Sequence, residues 1–188
     1  MIEPDLTDLV RAAALGDQAA WNTIVDRFEG LVWATARAHR LPQADAADVA
    51  QTTWLRLVEH LDRIRDPERL GGWLATTARN ECLRHIRLHG RELPSDETET
   101  FEAEAQEPPE VALLSGERDS ALWRGFARLS DRCQALLRLL VSPAEPSYEE
   151  IGAALDMPVG AIGPTRLRCL EKLRAIVDLD PAFQGGVA

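Results

Sequence analysis

The sequence predicts an all-α protein made of two small helical domains joined by a flexible acidic linker. Helix-forming Ala, Leu and Arg recur throughout the 188 residues, and apolar residues repeat at helical spacing. The alternating runs of Val, Ile, Tyr and Phe that are typical of strands are absent from the sequence. A hydrophobic content of 45% is sufficient for one or two small cored domains.

The net charge of −10 is concentrated in one segment. Residues 1–91 carry 13 acidic and 12 basic side chains, and residues 120–188 carry 8 of each. Residues 92–119 carry 10 acidic side chains and one basic side chain, a net charge of −9. Because residues 92–117 are rich in Glu, Pro, Ser and Thr, we expect a flexible linker there. The domains are then 1–91 and 118–180, followed by a disordered tail at 181–188.

Two helices are predicted at the start of the first domain. Thr7 is placed to cap a short helix that ends near Leu15. Asp17 is placed to cap a second helix that runs towards Arg40 and is broken at Pro42.

Two further helices complete the predicted first domain. Asp45 is expected to cap the third helix, and a polar loop around Pro67 precedes a fourth helix that starts near Gly72. The apolar rows expected to face the core are Trp54, Leu57, Val58 and Leu61 on the third helix and Leu74, Ala78, Cys82 and Ile86 on the fourth.

The second domain is predicted to contain a helix-turn-helix. One helix is marked by Leu122, Phe126 and Leu129, and a second is capped by Ser130. Ser147 and Glu150 form a capping box for a third helix that runs through Leu155. A turn at residues 156–160 leads into a last helix, which starts either with Gly160 as its cap or with Pro164 at its first position.

The fourth helix carries a stripe of side chains suited to nucleic acid. Its members, here called the basic stripe, are Trp73, Thr76, Asn80, Arg84, Arg87 and Arg91. Their spacings of three and four place them on one helical face. Aromatic rings stack on unpaired bases, and guanidinium groups hold phosphates. A solvated basic face with a half-buried Trp is the alternative.

The last helix has one apolar and one polar face. Ile162, Cys169, Leu173 and Ile176 point one way, and Thr165, Arg168 and Lys172 point the other. This division is what a recognition helix requires, although helix-turn-helix patterns also occur in bundles that do not bind DNA.

The cysteines and histidines indicate neither disulfides nor a metal site. The odd count and wide spacing of Cys82, Cys133 and Cys169 favour three small core residues. Cys82, His85 and His89 share a helical face, but the neighbouring sequence offers no fourth zinc ligand.

Several other classes of function are disfavoured. No Gly-rich phosphate loop, nucleophile-and-base set or paired carboxylates indicate an enzyme, and no cofactor is implied. No apolar run is long enough for membrane insertion, and the amino terminus does not resemble a signal peptide. We therefore expect a cytoplasmic protein.

Two separate pairs of segments resemble conserved regions of bacterial RNA polymerase sigma factors. DAADVAQTTWLRLVEHL with GGWLATTARNECLRHIRLHGR resembles their second region, and LSDRCQALLRLLV with SYEEIGAALDMPVGAIGPTRLRCLEKLR resembles their fourth. The order and the intervening linker are similar to the extracytoplasmic-function (ECF) group of the sigma-70 family. The resemblance implies a subunit that binds core RNA polymerase, directs it to promoters and helps open the minus-ten region.

The resemblance also implies partners and site residues. The partners are core polymerase, through its clamp helices and flap, and promoter DNA, whereas the presence of an anti-sigma factor stays open. Matching positions for polymerase binding are Asp48, Gln51, Thr52, Leu55 and Glu59. Those for the minus-ten strand are Arg63, Arg65, Trp73, Arg79, Asn80, Arg84 and Arg87, with Arg91 added from the basic stripe. Trp73 and Asn80 are expected to face bases, and the arginines of the stripe the backbone.

The matching positions for the minus-thirty-five duplex depart from the family pattern. They are Gly163, Pro164, Thr165, Arg166 and Arg168, with Lys172 beside them. Many members have basic and Ser side chains where this chain has Gly163 and Pro164, so base contacts would fall on Thr165, Arg166 and Arg168. Arg166 lies nearer the packed face by helical angle and could serve a phosphate or the core instead.

Two alternatives stay open from the sequence. A stand-alone helix-turn-helix regulator would explain the second domain but not residues 45–91. The acidic linker is either a solvated tether or a strand that lies against basic polymerase channels and is displaced by nascent RNA.

Overall fold

The structure, a computed structural model, describes residues 5–89 and 117–180. Helices α1 to α4 are Leu6–Ala14, Gln18–Ala38, Gln43–His60 and Leu70–His89, with short 3-10 helices at Leu61–Arg63 and Pro67–Arg69. Helices α5 to α8 are Glu117–Ala127, Asp131–Leu140, Tyr148–Leu155 and Val159–Val177. The two described ranges contain no strand, and the all-α prediction is confirmed. The linker and tail fall outside the described residues, apart from Glu117.

The caps of the first three helices follow the sequence only in part. Asp17 caps α2 as predicted, and its carboxylate accepts from the backbone N–H groups of Ala19 and Ala20. The prediction for Thr7 is wrong, because Asp5 is the cap of α1 and accepts from the backbone N–H of Thr7. Asp45 is also not a cap, since α3 begins at Gln43 and Asp45 lies in its first turn.

The apolar rows of α3 and α4 face the core with two exceptions, although Trp54 is only half-buried. Leu57, Leu74, Ala78 and Cys82 are fully buried. Val58 is 59% exposed and Ile86 is 43% exposed, so these two residues do not face the core as predicted. A helical repeat alone does not define how wide the covered face is, because that depends on which helices pack against it.

The helix-turn-helix is formed by α7, a three-residue turn and α8. The capping box is confirmed, because Ser147 and Glu150 each accept from the other's backbone N–H. Asp156 adopts a left-handed conformation with φ of 54° and ends α7. Met157 N–H then donates to the Gly152 carbonyl at 2.9 Å. The turn backbone approaches Gly152 so closely that a Cβ there would lie 2.8 Å from the Met157 carbonyl oxygen.

Helix α8 begins earlier than either predicted start. Pro158 is its cap, and Pro164 lies inside the helix rather than at its first position. Gly160 is likewise a helical residue and not the cap. Proline within a helix removes one backbone hydrogen bond, so the start of α8 depends on its packing. Ile162 provides that packing, since it is fully buried.

A disulfide joins Cys133 on α6 to Cys169 on α8, with their Cα atoms 5.5 Å apart. The expectation of three unpaired cysteines is therefore wrong. The sequence does not indicate this pairing, because the two cysteines are 36 residues apart and come together only when α6 packs against α8. Cys82 is free and buried.

Helices α1 to α4 form a first helical group and α5 to α8 a second, and the two groups share one buried apolar cluster. Leu74, Ala75 and Ala78 of α4 belong to the same cluster as Ile151 and Ala154 of α7. Leu136 and Leu139 of α6 pack into it as well. Burial of each large apolar side chain contributes roughly 1.5–3 kcal/mol. The described parts of the two predicted domains are therefore packed together.

Polar contacts reinforce the junction between the helical groups. His39 lies 3.1 Å from the Ala154 carbonyl oxygen through its Nε2, and the Arg79 guanidinium donates to Asp156 at 2.9 Å. Gly71, in the first turn of α4, permits close approach, because a Cβ there would collide with the Glu150 carboxylate. A carboxylate beside a helix amino terminus is favoured by the helix dipole.

We predict that Gly152→Ala lowers the free energy of unfolding by about 1–3 kcal/mol, because the added Cβ presses on the turn backbone. Chemical denaturation measures the change. The matched control is Gly160→Ala, where a Cβ meets nothing within 4 Å. Equal destabilisation by the two substitutions would contradict the role assigned to the turn.

We predict that acid weakens the fold partly through His39. Burial is the largest effect and lowers the pKa of His39; the hydrogen bond with the Ala154 carbonyl opposes it in part, and the charge of Arg79 lowers the pKa a little further. Below about pH 6.5 the unfolded chain therefore binds a proton at this site more readily than the folded chain. The free energy of unfolding should fall between pH 7.5 and 5.5, and less steeply in His39→Gln. Parallel profiles for the two proteins would count against this assignment.

Candidate nucleic-acid interface

The basic stripe lies along α4 as predicted for the residues that the structure describes. Trp73 is half-buried, and Thr76, Asn80, Arg84 and Arg87 are exposed. Arg91 lies outside the described residues. The opposite side of α4 is held by the shared apolar cluster from Leu70 to Ala78 and by a second cluster at Cys82, so the first part of the stripe is presented by a firmly anchored helix.

A cavity of about 320 Å³ lies at the start of the basic stripe. It is lined by His60, Arg63, Ile64, Arg65, Asp66, Arg69, Leu70 and Trp73. The ring of Trp73 lies 6.2 Å from the ring of His60, with their planes tilted by 43°. Two rings beside three guanidinium groups provide a stacking surface next to cations, which is the chemistry that an unstacked nucleotide requires.

The cavity contains residues that the sequence did not single out. His60 closes α3, and its Nδ1 lies 2.9 Å from the Arg56 carbonyl oxygen, which orients the ring. Ile64 and Arg69 belong to the loop between α3 and α4. Arg63 and Arg65, which were predicted, do line the cavity. The meeting of His60 with Trp73 depends on the angle between two helices, so no local sequence signal identifies it.

Ion pairs engage two of the predicted cations. Arg79 is paired with Asp156 of the helix-turn-helix turn at 2.9 Å. Arg84 is paired with Glu81 at 2.7 Å, and Glu81 also lies 3.7 Å from Arg56. Arg63 and Arg65 form no ion pair with any residue in the two described ranges. Their charges are therefore directly available to an anion, whereas Arg79 must first exchange a partner.

The predicted duplex-reading residues lie on α8. Arg166, Arg168 and Lys172 are exposed, and Thr165 is half-buried. The Arg168 guanidinium donates to the Thr165 hydroxyl at 3.2 Å, which couples these two side chains. The suggestion that Arg166 serves the core is wrong, since its side chain extends into solvent. Gly163 and Pro164 lie on α8 as well and contribute no side-chain donor.

The predicted polymerase-binding residues share the outer side of α3. Asp48, Gln51 and Glu59 are exposed, Leu55 is 56% exposed and Thr52 is half-buried. Val58 adds a second exposed apolar side chain to this helix. A surface that mixes apolar and charged groups is typical of a protein interface.

The face of α4 that carries Cys82 and His85 has the properties of a packing surface. Burial raises the pKa of Cys82 to about 12, so its thiol stays protonated and unreactive at neutral pH. His85 lies 3.7 Å from a carboxylate oxygen of Asp45. Within the described ranges, no three His, Cys, Asp or Glu side chains are grouped to hold a metal ion. The side chain of His89 lies outside the described residues.

Comparison with known proteins identifies the class. Residues 24–92 match the family described as Sigma-70 region 2. The ECF RNA polymerase sigma-E factors of Salmonella typhimurium LT2 and Escherichia coli K12 are each 31% identical to the chain over 182 residues, which cover 89% of this chain and 93% of theirs. The factor of the same description from Haemophilus influenzae is 25% identical over 179 residues, with coverage of 89% and 94%.

Two solved structures have a similar fold. The structure of CnrH in complex with the cytosolic domain of CnrY has a TM-score of 0.61 and 23% identity, and covers 94% of this chain and 99% of that chain. The sigma factor RpoE of Bartonella quintana, in complex with the anti-sigma factor NepR, has a TM-score of 0.59 and 20% identity, with coverage of 85% and 98%.

Similarity along nearly the whole chain, together with the helix-turn-helix and the basic stripe, defines an RNA polymerase sigma factor of the sigma-70 type. Within that class, the chain belongs to the family of ECF RNA polymerase sigma factors. Sigma factors direct RNA polymerase to promoters, and as a class they are not enzymes. A stand-alone regulator is not favoured, because the match includes the region 2 segment.

None of the helices in the described parts of the chain combines the length and the apolar character needed to cross a membrane.

Proposed function

We propose that residues 1–91 capture the non-template strand of the minus-ten element as it opens. The observation that carries this proposal is the cavity at the head of the basic stripe, where Trp73 and His60 lie beside Arg63, Arg65 and Arg69. An unpaired base can enter the cavity, and the phosphates that follow it can meet the exposed guanidinium groups along α4. Asn80 lies farther along the stripe and offers both a donor and an acceptor to base edges.

The same contacts explain how this protein assists melting. Opening a duplex costs the stacking and pairing of each base that leaves it. The cavity and the exposed cations interact with an extruded base and its single strand more strongly than with stacked duplex. A group that binds only the open state shifts the equilibrium towards opening by its differential affinity. Melting therefore needs binding energy and no catalytic side chain.

We assign residues 118–180 to the minus-thirty-five duplex. The exposed side of α8 presents Arg166, Arg168 and Lys172, and the hydroxyl of Thr165 holds the Arg168 guanidinium. Guanidinium groups recognise guanine edges in the major groove through paired hydrogen bonds. Gly163 and Pro164 leave room for close approach of the α8 backbone and add no readout of their own.

The outer side of α3 is assigned to core polymerase, in particular to the clamp helices of its largest subunit. Exposed Leu55 and Val58 would be covered in the complex, and Asp48, Gln51 and Glu59 surround them with polar groups. The polymerase flap is the corresponding partner of the carboxy-terminal helices. We place the activity in the cytoplasm, where polymerase works.

An anti-sigma factor is proposed to bind at the junction of the helical groups. A groove of about 340 Å³ lies there, lined by Ile86 and Leu155 together with His39, Arg40, Asp131 and Arg132 among others, and Arg40 is paired with Asp131. Its apolar groups, with Arg132 beside them, suit a helix that has an apolar stripe and an acidic neighbour. The solved complex of the sigma factor RpoE with the anti-sigma factor NepR supports an anti-sigma partner, but not a particular binding surface.

Run-off transcription with purified core polymerase on fragmented genomic DNA tests the proposed function. Addition of the chain should yield discrete transcripts whose upstream sequences share two elements, and the transcripts identify the promoter at the same time. Transcripts that are the same with and without the chain would overturn the assignment.

We predict that Arg84→Ala combined with Arg87→Ala reduces open-complex formation at least about tenfold, because two exposed guanidinium groups that would contact DNA phosphates are lost. Permanganate footprinting of unpaired thymines measures opening, and gel filtration with core polymerase measures assembly, which should be unchanged. The matched control is Arg11→Ala with Arg27→Ala, which removes two exposed arginines from α1 and α2. Normal opening by the first double variant would refute the role of the stripe.

We predict that Arg168→Ala weakens binding to the minus-thirty-five duplex by about 1–3 kcal/mol and relaxes preference at one base pair. Fluorescence anisotropy with intact and scrambled elements measures both effects. Arg174→Ala removes another exposed arginine of α8 and should leave sequence preference intact. If the parent protein binds intact and scrambled elements equally, the second domain reads no sequence.

A further inference from the structure

The disulfide between Cys133 and Cys169 lies where the last helix is otherwise held by little buried surface. The start of α8 is anchored in the large shared cluster through Ile162. Its later turns pack instead into a small separate cluster whose buried members are Leu129, Cys133, Leu137 and Cys169. Two of these four residues are the linked cysteines themselves, so the covalent bond is a major part of what fixes this end of α8.

The other contacts at this end of α8 lead mainly to α5. Val177 is buried and packs against Gly125, where an added Cβ would lie 2.8 Å from the Val177 side chain. Leu173 and Ile176 are half-buried against the small cluster. The ion pair of Arg124 with Asp180 joins α5 to the residues after α8, but the Arg124 side chain is largely exposed. Exposed ion pairs contribute little to stability. Loss of the disulfide therefore removes the main constraint between α6 and the later turns of α8.

The linked Cys169 lies on the packed face of α8, directly behind the proposed duplex-reading face. Cys169 directly follows Arg168, and Thr165 and Lys172 lie within about one turn on either side. A covalent bond to α6 at this position fixes both the rotation of α8 about its axis and its distance from α6. Side chains that must meet base edges with hydrogen-bond precision depend on both quantities.

We propose that Cys133 and Cys169 form a redox-modification site, whose co-reactant is a cytoplasmic dithiol and whose state sets how firmly α8 is held for reading duplex DNA. The effect on DNA rests on the function proposed above, whereas the thiol chemistry does not. In a reducing compartment, disulfides that do form are usually transient and redox-sensing. Cys82 is buried in a different cluster on α4 and is not available for exchange with this pair.

The proposed reaction is a two-electron exchange. A thiolate of the dithiol attacks one sulfur of the disulfide, forming a mixed disulfide and releasing the other cysteine as a thiolate that takes up a proton. The second thiol of the reductant then displaces the remaining cysteine and closes its own disulfide. Two electrons and two protons pass to the cysteine pair, and the reverse reaction restores the bond. Because Cys133 and Cys169 are only 6% and 1% exposed, attack follows local opening of the end of α8.

Reduction should loosen α8 without unfolding the first helical group. The bond restrains two positions 36 residues apart in the chain, so its loss returns conformational freedom to the segment between them. Hydrogen exchange at the backbone amides of residues 169–177 should become about tenfold faster or more. The amides of α3 belong to the other helical group and should exchange at an unchanged rate.

The experiment uses the full chain equilibrated with oxidised or reduced dithiothreitol. Alkylation in denaturant followed by mass spectrometry should find one reactive thiol in the oxidised sample and three in the reduced sample. Hydrogen exchange is measured on both samples. Cys82→Ser should preserve the response of α8, and Cys133→Ser should exchange like the reduced protein in either buffer. The parent protein compared in the two buffers decides the matter even if Cys133→Ser does not fold.

Two results would overturn the proposal. Three reactive thiols after equilibration with oxidised dithiothreitol would show that the pair does not form a disulfide in solution. Equal exchange at α8 in the two states would show that the bond does not govern the position of the helix.

A DNA-binding measurement distinguishes failure of this proposal from failure of the proposed function on which it rests. Affinity for the upstream element obtained from run-off transcription should be about tenfold or more weaker after reduction, with Cys133→Ser as the state-independent control. Equal sequence-specific binding in both states would sink the redox proposal alone. Absence of sequence-specific binding in either state would sink the proposed function of α8 and leave the thiol results standing.

Discussion

The packing of α7 on α4 is the contact on which the placement of both candidate DNA-binding surfaces depends. Helix α4 carries the basic stripe on one side and Leu74, Ala75 and Ala78 on the other, where they meet Ile151 and Ala154. Helix α7 in turn leads into α8 through a turn of only three residues. In this packed state, the α4 and α7 contact and the α6 side chains and polar contacts beside it fix the proposed strand-binding helix and the proposed duplex-reading helix relative to each other. Gly71 permits the close approach of α7 to α4, and Gly152 permits the close approach of the following turn to α7.

The chain combines an acidic overall charge with local surfaces that are suited to anions. The net charge of −10 lies mostly in residues 92–119, so it does not describe the surface of either helical group. Within the described residues, carboxylates also moderate individual cations. Glu81 holds Arg84 on the stripe, and Asp156 holds Arg79 at the junction. Nucleic acid must displace these carboxylates, so each phosphate contact with Arg79 or Arg84 yields less binding free energy than a contact with an unpaired arginine. Tight binding then requires a strand that makes many contacts across the whole surface.

Local interactions made much of the fold predictable, and contacts between helices account for the errors. Asp17 and the pair Ser147 and Glu150 act within one helical turn, so their caps could be read directly. The first domain was predicted to have four helices, and its described residues contain four. The start of α8 at Val159 instead depends on the burial of Ile162. The exposure of Val58 depends on which helices cover α3.

The same distinction applies to the site and the cysteines. The basic stripe follows from spacing on one helix, whereas the meeting of His60 with Trp73 requires the angle between α3 and α4. The bond between Cys133 and Cys169 requires that α6 and α8 be adjacent.

The shared apolar cluster also has a thermodynamic consequence for assembly. Promoter elements centred about 25 base pairs apart are separated by about 85 Å of duplex at 3.4 Å per pair. A compact body of this size has a radius of gyration of about 15 Å. If residues 1–91 and 118–180 engage the two elements as proposed, the two helical groups must separate first. The apparent dissociation constant of the chain from polymerase and promoter is then the intrinsic value divided by the fraction of separated molecules. Every 1.4 kcal/mol of packing at the α4 and α7 junction thus weakens assembly about tenfold, so the stability of this core sets the sensitivity of transcription to the concentration of the factor.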